Sequence, residues 1–315
     1  MKIHELKIEG FKSIGEIKLV DPNPFSVFVG PNAAGKSNIF EALEFFQLSG
    51  LMNKDYEMTA RLFGTFEEIF NQIVKSETIS INLNLGDSKP SLTLKKNQDE
   101  NKINGHSLKY LKNYSRIFVG KESILKQNIR DDSRLASDAS NVEKVLKRIL
   151  KEEKNKEEII ELLQLLIPGF SNLEIRTEEL SGSDNLLIYE DSLKKPLNKR
   201  LISDGTYNII ALIAAIYQSE EPQFLCIEEP ENGLNPKVVK QLVSLFRDKC
   251  KEKGHYIWLN THSQTLVSEL TPDEIILVDK VNGLTQTKQV KGFDLHGMKM
   301  DEALLTNALG GGIPW

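Results

Sequence analysis

The 315-residue sequence is poor in cysteine, has no long apolar run and carries no excess of positive charge. Its two cysteines, Cys226 and Cys250, form no CxxC pair and no ligand cluster. This excludes a disulfide framework and a cysteine-based metal site, and leaves buried, reduced thiols of the kind found in cytoplasmic proteins. The longest apolar run, Ile209 to Tyr217, falls well short of the roughly 20 residues of a membrane-spanning helix. The opening MKIHELKIEG lacks the apolar core of a signal peptide. A cytoplasmic protein with no membrane partner is expected. A net charge of -5 gives no global field to recruit nucleic acid, although a local basic groove stays open. His4, His106, His255 and His296 form no metal-binding constellation. No internal repeat or low-complexity tract stands out. What remains is the composition of an ordinary globular chain, long enough for two domains or one large two-lobed one.

The hydrophobic pattern changes along the chain. KIHELKIEGF and IGEIKLV alternate as strands, and FSVFVG is a short buried strand ending in glycine. After Gly35 the spacing of Ile39, Ala42, Leu43 and Phe46 is helical. Residues 50 to 140 are mixed: TISINLNL and SLTLKK read as strands, and the polar SKPSLTLKKNQDENKINGHS as an exposed hairpin or loop. NVEKVLKRIL and EEIIELLQLL read as short amphipathic helices, LEIRTEE and LLIYEDS as strands. From about 200 onward helix and strand alternate, which implies a parallel sheet covered by helices.

Gly30 to Asn38, GPNAAGKSN, fits G-x-x-x-x-G-K-[ST]. It follows a strand and opens a helix, as a phosphate-binding loop must. Glycines allow the backbone to curl so that N–H groups face a phosphate chain, and the helix N-terminus adds positive potential. Candidate nucleotide contacts are therefore Gly30, Asn32, Ala33, Ala34, Gly35, Lys36, Ser37 and Asn38. Lys36 is expected on the β- and γ-phosphates, and the Ser37 hydroxyl on Mg²⁺. The apolar FLCI ends in adjacent acids, Glu228 and Glu229. Taken alone, the pair reads equally well as exposed acids at a strand-to-turn junction. Beside a phosphate loop, Glu228 suits the metal and Glu229, pointing differently, suits the attacking water of ATP hydrolysis. Asn235 and Pro236 read as cap and first residue of the next helix, with Val238, Leu242 and Leu245 as its core stripe.

IEEPENGLNP resembles the Walker B segment and following D-loop of ABC-type ATPases. Within that class it is similar to the SMC/RecF-like branch and its OLD-type relatives, as is the opening IEGFKSIGE. The resemblance covers residues 1 to about 50 and about 200 to 280. It implies an α/β fold, an ABC-type P-loop NTPase head with a mostly parallel central sheet, an N-terminal antiparallel β subdomain and a small helical lobe. It implies a nucleotide-binding core over 1–50 and 200–280, an insert over 51–199 and a C-terminal tail over 281–315 of a single head. It places Lys12 near the nucleotide. It makes Leu201 to Ile216, LISDGTYNIIALIAAI, a signature segment in which Ser203 and Gly205 face a γ-phosphate held by a second head. Ser-Asp-Gly-Thr departs from the family's Leu-Ser-Gly-Gly-Gln, which tempers any expectation of fast hydrolysis. Read without the family, Ser203 is a helix cap. His262, at the end of HYIWLNT, falls where the family has a switch histidine, and Gln47 and Gln72 are both open as the Q-loop residue.

The resemblance further implies ATP and Mg²⁺ as cofactors, and a homodimer closed around ATP, with a higher oligomer left open. Only 165 residues separate Ser37 from Ser203, too few for SMC arms. Only 53 follow His262, too few for the Toprim nuclease of OLD proteins. A stand-alone head is therefore expected. The tail MDEALLTNALGGGIPW resembles those of small bacterial ATPases paired with a separate Toprim-like or HNH-type nuclease in defence or DNA-repair systems, and a tail packed on its own domain is equally open. DNA is a further expected partner. An ABC-transporter subunit and a slow nucleotide-dependent switch are the alternatives.

Overall fold

The computed structural model describes residues 2–52, 55–97, 101–103, 112–118 and 132–311. Its strands are β1 Glu5–Glu9, β2 Glu16–Val20, β3 Phe25–Val29, β4 Thr78–Asn84, β5 Ser91–Lys95, β6 Lys102–Ile103 and β7 Tyr114–Ile117. They continue with β8 Phe170–Thr177, β9 Asp184–Glu190, β10 Leu197–Asn198, β11 Phe224–Glu228, β12 Tyr256–Thr261, β13 Ile275–Val281 and β14 Leu284–Gln289. The chain divides into two compact units: Met1–Arg116, Pro222–Glu229 and Val243–Trp315 in the first, Ile117–Glu221 and Pro230–Leu242 in the second.

The first unit holds two sheets. One runs β2-β1-β4-β5-β6 and is antiparallel throughout. Alternating sequence produces it: in β1, β2 and β4 every second residue is buried. The register sets Ile8 opposite both Ile17 and Ile81, and Leu6 opposite Leu19 and Leu83, which gathers one aliphatic face. The other sheet runs β14-β13-β3-β12-β11-β7. Its β13, β3, β12 and β11 are mutually parallel, while β14 returns antiparallel on β13. Here β3, β11 and β12 are buried at every position, as strands covered on both faces must be.

Helix Lys36–Leu51 joins the two sheets' cores. One hydrophobic cluster takes Leu6, Ile8 and Ile81 from the antiparallel sheet, Phe28 and Trp258 from the parallel one, and Phe40 and Phe45 from this helix. Phe28 meets Phe40 edge-on at 5.3 Å between ring centroids, and Trp258 meets Phe224 at 4.8 Å. Such aromatic pairs add about 1 kcal/mol each beyond the area they bury.

The second unit holds the antiparallel β8–β9–β10 sheet and helices Val142–Ile149, Glu153–Leu166 and Asp204–Tyr217. The last is buried at every residue from Asn208 to Tyr217, as its near-uniform apolarity predicts. Helix Pro236–Lys253 starts in this unit and continues in the first.

Two boundaries differ from the sequence reading. Residues 55–116, grouped there with the insert, belong to the first unit, because β4, β5 and β6 complete the sheet begun by β1 and β2. Leu92 and Leu94 are buried in it, so SLTLK is a core strand although its flanks are polar. The stretch after 280 is more than a tail. It supplies β14 and helix Met300–Leu305, and Leu309 beyond them is buried. In helix Pro236–Lys253 the buried stripe is Val238, Val239, Leu242, Val243 and Phe246, with Leu245 only half-buried.

Candidate functional site

Parallel register assembles the site. Val29 of β3 pairs with Thr261 of β12, and Glu228 of β11 pairs with Asn260 of β12. The carboxyl ends of three parallel strands therefore deliver the Gly30 loop, the Glu228–Glu229 pair and His262 to one edge of the sheet, where α/β folds place their ligands.

The loop is curled by left-handed residues. Ala33 has φ 61° and Gly35 φ 99°. Left-handed residues alternating with an ordinary one, Ala34, turn N–H groups to one side, as in anion-binding nests. Gly35 has a second reason to be glycine: a Cβ there would lie 1.9 Å from the Thr285 hydroxyl. Thr285, on β14, bonds the Ala34 carbonyl at 2.8 Å and the Ser13 hydroxyl at 2.6 Å. Asn32 and Ala33 are exposed, Ala34 is buried, and Lys36 folds back to donate to the carbonyls of Gly30 at 2.8 Å and Pro31 at 2.9 Å. Asn38 turns its amide onto Ser13, 2.7 Å away.

Ser37 donates its hydroxyl to Oε2 of Glu228 at 2.7 Å, across 191 residues of sequence. This is the contact that joins the loop to the carboxylate pair. The next residue, Glu229, stands at φ 47°, a left-handed conformation unfavourable to a side chain. Its N–H is held by Asn260, 3.0 Å from the carbonyl and 3.2 Å from Oδ1, so the turn that separates the two acids is braced by β12. The Asn260 amide also reaches the Ser37 hydroxyl at 3.4 Å. His262 follows β12 and is half-buried, one residue before the Ser263 cap of helix Gln264–Ser268.

Arg116, Glu41 and Glu44 were not singled out by sequence reasoning, although Glu228, which they surround, was. Arg116 lies in β7 and is buried; its Nε reaches Oε1 of Glu228 at 2.5 Å, and Nη2 contacts the same oxygen. Nη1 reaches Glu44 at 3.0 Å and Nη2 reaches Glu41 at 3.3 Å. Burial works against the charge of Arg116, but Glu228, Glu44 and Glu41 outweigh it and hold the guanidinium firmly protonated. Burial also pushes Glu44 above the usual carboxylate range, with Arg116 pulling the other way. The signal available in the sequence was an arginine inside the apolar strand YSRIF.

Lys12, expected near the nucleotide, has φ 47° and donates to Glu41 at 2.5 Å. It thus joins the Arg116 cluster through the helix that the loop opens. Gln47 is buried and donates to the Tyr114 carbonyl at 3.0 Å; Gln72 bonds the carbonyls of Glu67 and Phe70. Both amides fasten the fold. Burial pushes the Cys226 thiol far up, and the Cys250 thiol to about 12, so neither is reactive.

In the second unit, Ser203 caps helix Asp204–Tyr217 by accepting from the Thr206 N–H at 3.1 Å, and is exposed. Gly205 packs against the loop after β11: a Cβ there would lie 2.4 Å from the Gly233 carbonyl. Asn208, one turn on, donates to the carbonyls of Pro230 at 3.2 Å and Asn232 at 2.8 Å. The Ser-Asp-Gly-Thr turn and the Glu231–Asn235 segment are therefore one clamped piece, which the sequence motifs treated separately. Asn235 caps the next helix, accepting from Val238 at 3.1 Å.

The residues present suit Mg²⁺ with a nucleoside triphosphate. Among the described residues no group of three or more His, Cys, Asp or Glu side chains is placed to hold a metal ion by itself. A hydroxyl and a carboxylate oxygen beside a phosphate loop match Mg²⁺ held jointly by protein and substrate phosphates.

Comparison with known proteins agrees with this geometry. The family described as "AAA ATPase domain" matches residues 1–163, and that described as "AAA domain, putative AbiEii toxin, Type IV TA system" matches residues 85–268. The energy-coupling factor transporter ATP-binding protein EcfA2 of Lactobacillus acidophilus is 40% identical over 110 residues, 35% of this chain and 36% of that protein. The Lactobacillus johnsonii EcfA2 is 27% identical over the same length, with the same coverage. The chain thus spans about a third of the length of the curated relatives it matches. Among solved structures, the SMC head bound to the C-terminal winged-helix domain of ScpA aligns with TM-score 0.63 at 17% identity, covering 96% of this chain and 100% of that one. The Thermotoga maritima SMC head aligns with TM-score 0.53 at 18% identity, covering 92% and 100%. The fold is that of an SMC-type ABC ATPase head. Each family match spans more than half of the sequence, and the chain belongs to the AAA ATPase domain family.

Proposed function

We propose that the chain binds and hydrolyses ATP with Mg²⁺, and that two copies close around the nucleotide to do so. The observation that supports this reading is the 2.7 Å bond from Ser37 to Glu228, which brings a hydroxyl at the end of the phosphate loop to a carboxylate, two oxygen donors of the kind that bind Mg²⁺. Lys36 neutralises the phosphate chain beside the loop N–H groups. Mg²⁺, when bound by Ser37 and Glu228, supplies charge neutralisation at the phosphates. Glu229, the next residue, on a left-handed backbone, takes the proton of the attacking water. His262 orients that water and the γ-phosphate. Ser203 and Gly205 of the second copy contact the same γ-phosphate through the hydroxyl and the N–H groups of the helix's first turn.

The output of this cycle is control of a separate partner, an effector nuclease or DNA, in a defence or repair setting. One SMC head of this fold is bound by a domain of ScpA, and a separate protein partner on that plan is proposed here. The test is Glu229→Gln. With ATP and Mg²⁺ the variant is expected to stop phosphate release and to double in mass in light scattering. A variant that stays monomeric with ATP rejects the sandwich. The identity to EcfA2 proteins favours a second reading, the ATPase subunit of a transporter. Stable co-purification with a membrane permease, and no response of the ATPase to DNA, would decide for it.

A further inference from the structure

The buried cluster around Arg116 goes beyond the loop and the two acids. Glu228 has its two oxygens committed to different partners: Oε1 receives the Arg116 guanidinium, and Oε2 receives the Ser37 hydroxyl at 2.7 Å. A carboxylate pinned at one oxygen by a planar fork cannot rotate, so the position of its other oxygen is fixed. The fork is fixed in turn. Glu44 holds Nη1 at 3.0 Å, Glu41 holds Nη2 at 3.3 Å, and the second oxygen of Glu41 is anchored by Lys12 at 2.5 Å. Glu41 and Glu44 lie three residues apart on one face of the helix whose first turn carries Lys36 and Ser37. The helix that supplies the Ser37 oxygen therefore also supplies the braces that aim the Glu228 oxygen. The side chains of Arg116 and Glu228 are each 7% exposed. Burying such a cluster gains little stability, because desolvation offsets the attraction. The arrangement makes better sense as a positioning device.

We propose that Arg116 is a positioning residue for the metal site: by holding Oε1 of Glu228 it presents Oε2, beside the Ser37 hydroxyl, to the divalent cation that accompanies the nucleotide. This rests on the proposed metal role of Glu228. Groups that orient a metal's direct ligands typically change metal affinity by about 10- to 100-fold when removed. Arg116→Lys keeps a charge but loses the fork, and Glu44→Gln loosens the brace while leaving the guanidinium in place.

The test separates metal from nucleotide. ATP affinity is measured in EDTA by fluorescence of a labelled ATP. Mn²⁺ affinity of the ATP-loaded protein is measured by electron paramagnetic resonance. Arg116→Lys is expected to weaken Mn²⁺ binding by about 10-fold or more, and Glu44→Gln by less, with metal-free ATP affinity within about twofold of the parent in both. Arg116→Met is expected to weaken Mn²⁺ binding further; if it does not fold, the other two variants still decide. Unchanged Mn²⁺ affinity in Arg116→Lys overturns the inference, as does equal weakening of metal-free ATP and Mn²⁺, which is what a merely structural role would produce. A parent protein that binds ATP but no Mn²⁺ overturns the metal reading of Glu228 and this inference with it.

Discussion

Glu229 is held in a left-handed conformation, φ 47°, that glycine would adopt without cost. Strain of this kind costs on the order of 1 kcal/mol or more and persists where function requires it. Glu229→Gly is therefore expected to melt at the same or a higher temperature than the parent, by about 1 kcal/mol of added stability, while phosphate release is lost. A variant that is both less stable and still active would remove Glu229 from catalysis. Lys36 makes the opposite case. Its ammonium is buried against the loop carbonyls of Gly30 and Pro31, where a phosphate would draw it away. Lys36→Ala should cost about 2–3 kcal/mol of ATP binding, roughly a 30- to 150-fold rise in Kd by isothermal titration, as expected for a lost charge-assisted bond. At this scale the sequence was most readable. GPNAAGKS, the acid pair and the Ser203 cap are local strings whose geometry follows from residue type. Arg116, Asn208 and Asn260 were not legible, because each works through partners that lie 112, 22 and 31 residues away in sequence.

Elements carry the next level of information. The strand–helix alternation after residue 200 is legible because buried parallel strands and apolar helices leave distinct patterns. The membership of β4, β5 and β6 is not, since pairing across a sheet has no local signature. The clamp between helix Asp204–Tyr217 and the Glu231–Asn235 segment is likewise tertiary. Its tight point is Gly205, whose missing side chain admits the Gly233 carbonyl. Gly205→Ala is expected to displace that segment, leaving ATP binding within about twofold but reducing phosphate release by about 10-fold or more, in line with a loss of 1.4 kcal/mol or more of transition-state stabilisation. Loss of ATP binding itself would contradict this assignment. A second element-level feature joins helix Val142–Ile149 to the β8–β9 hairpin. Lys147 and Thr177 bond Asp184 at 2.7 and 2.6 Å and lower the pKa of its carboxyl. A depressed acid contributes stability above its unfolded pKa, 3.8, and loses it as pH falls through the lower folded value. Asp184→Asn is expected to lower the melting temperature at pH 7, by about 1 kcal/mol, and to match the parent in solution acidic enough to protonate the folded carboxyl. A gap that stays constant with pH would assign the effect to packing.

At the scale of the molecule, the C-terminal stretch bears on both the fold and the proposed partner. Docking by the tail and packing on its own domain were both open from sequence. The described part packs: Leu309 is 1% exposed and its carbonyl accepts from Lys288 at 2.7 Å, while Asn307 Oδ1 accepts from the Gly311 N–H at 3.0 Å. Ile313, Pro314 and Trp315 lie outside the described residues. Removal of residues 306–315 therefore discards a core side chain together with any docking segment. Losing the buried Leu309 alone costs about 1.5–3 kcal/mol. The informative cut comes after Gly311. A chain ending there is expected to melt as the parent does and to release phosphate at the same rate. A chain ending at Leu305 is expected to melt lower. If Trp315 anchors an effector, as buried aromatics often do at interfaces, the effector co-expressed with the chain ending at Gly311 should elute apart from it in gel filtration while the ATPase remains intact. Continued co-elution would move the docking site elsewhere on the head, and a drop in melting temperature on removing those last residues would make the segment structural.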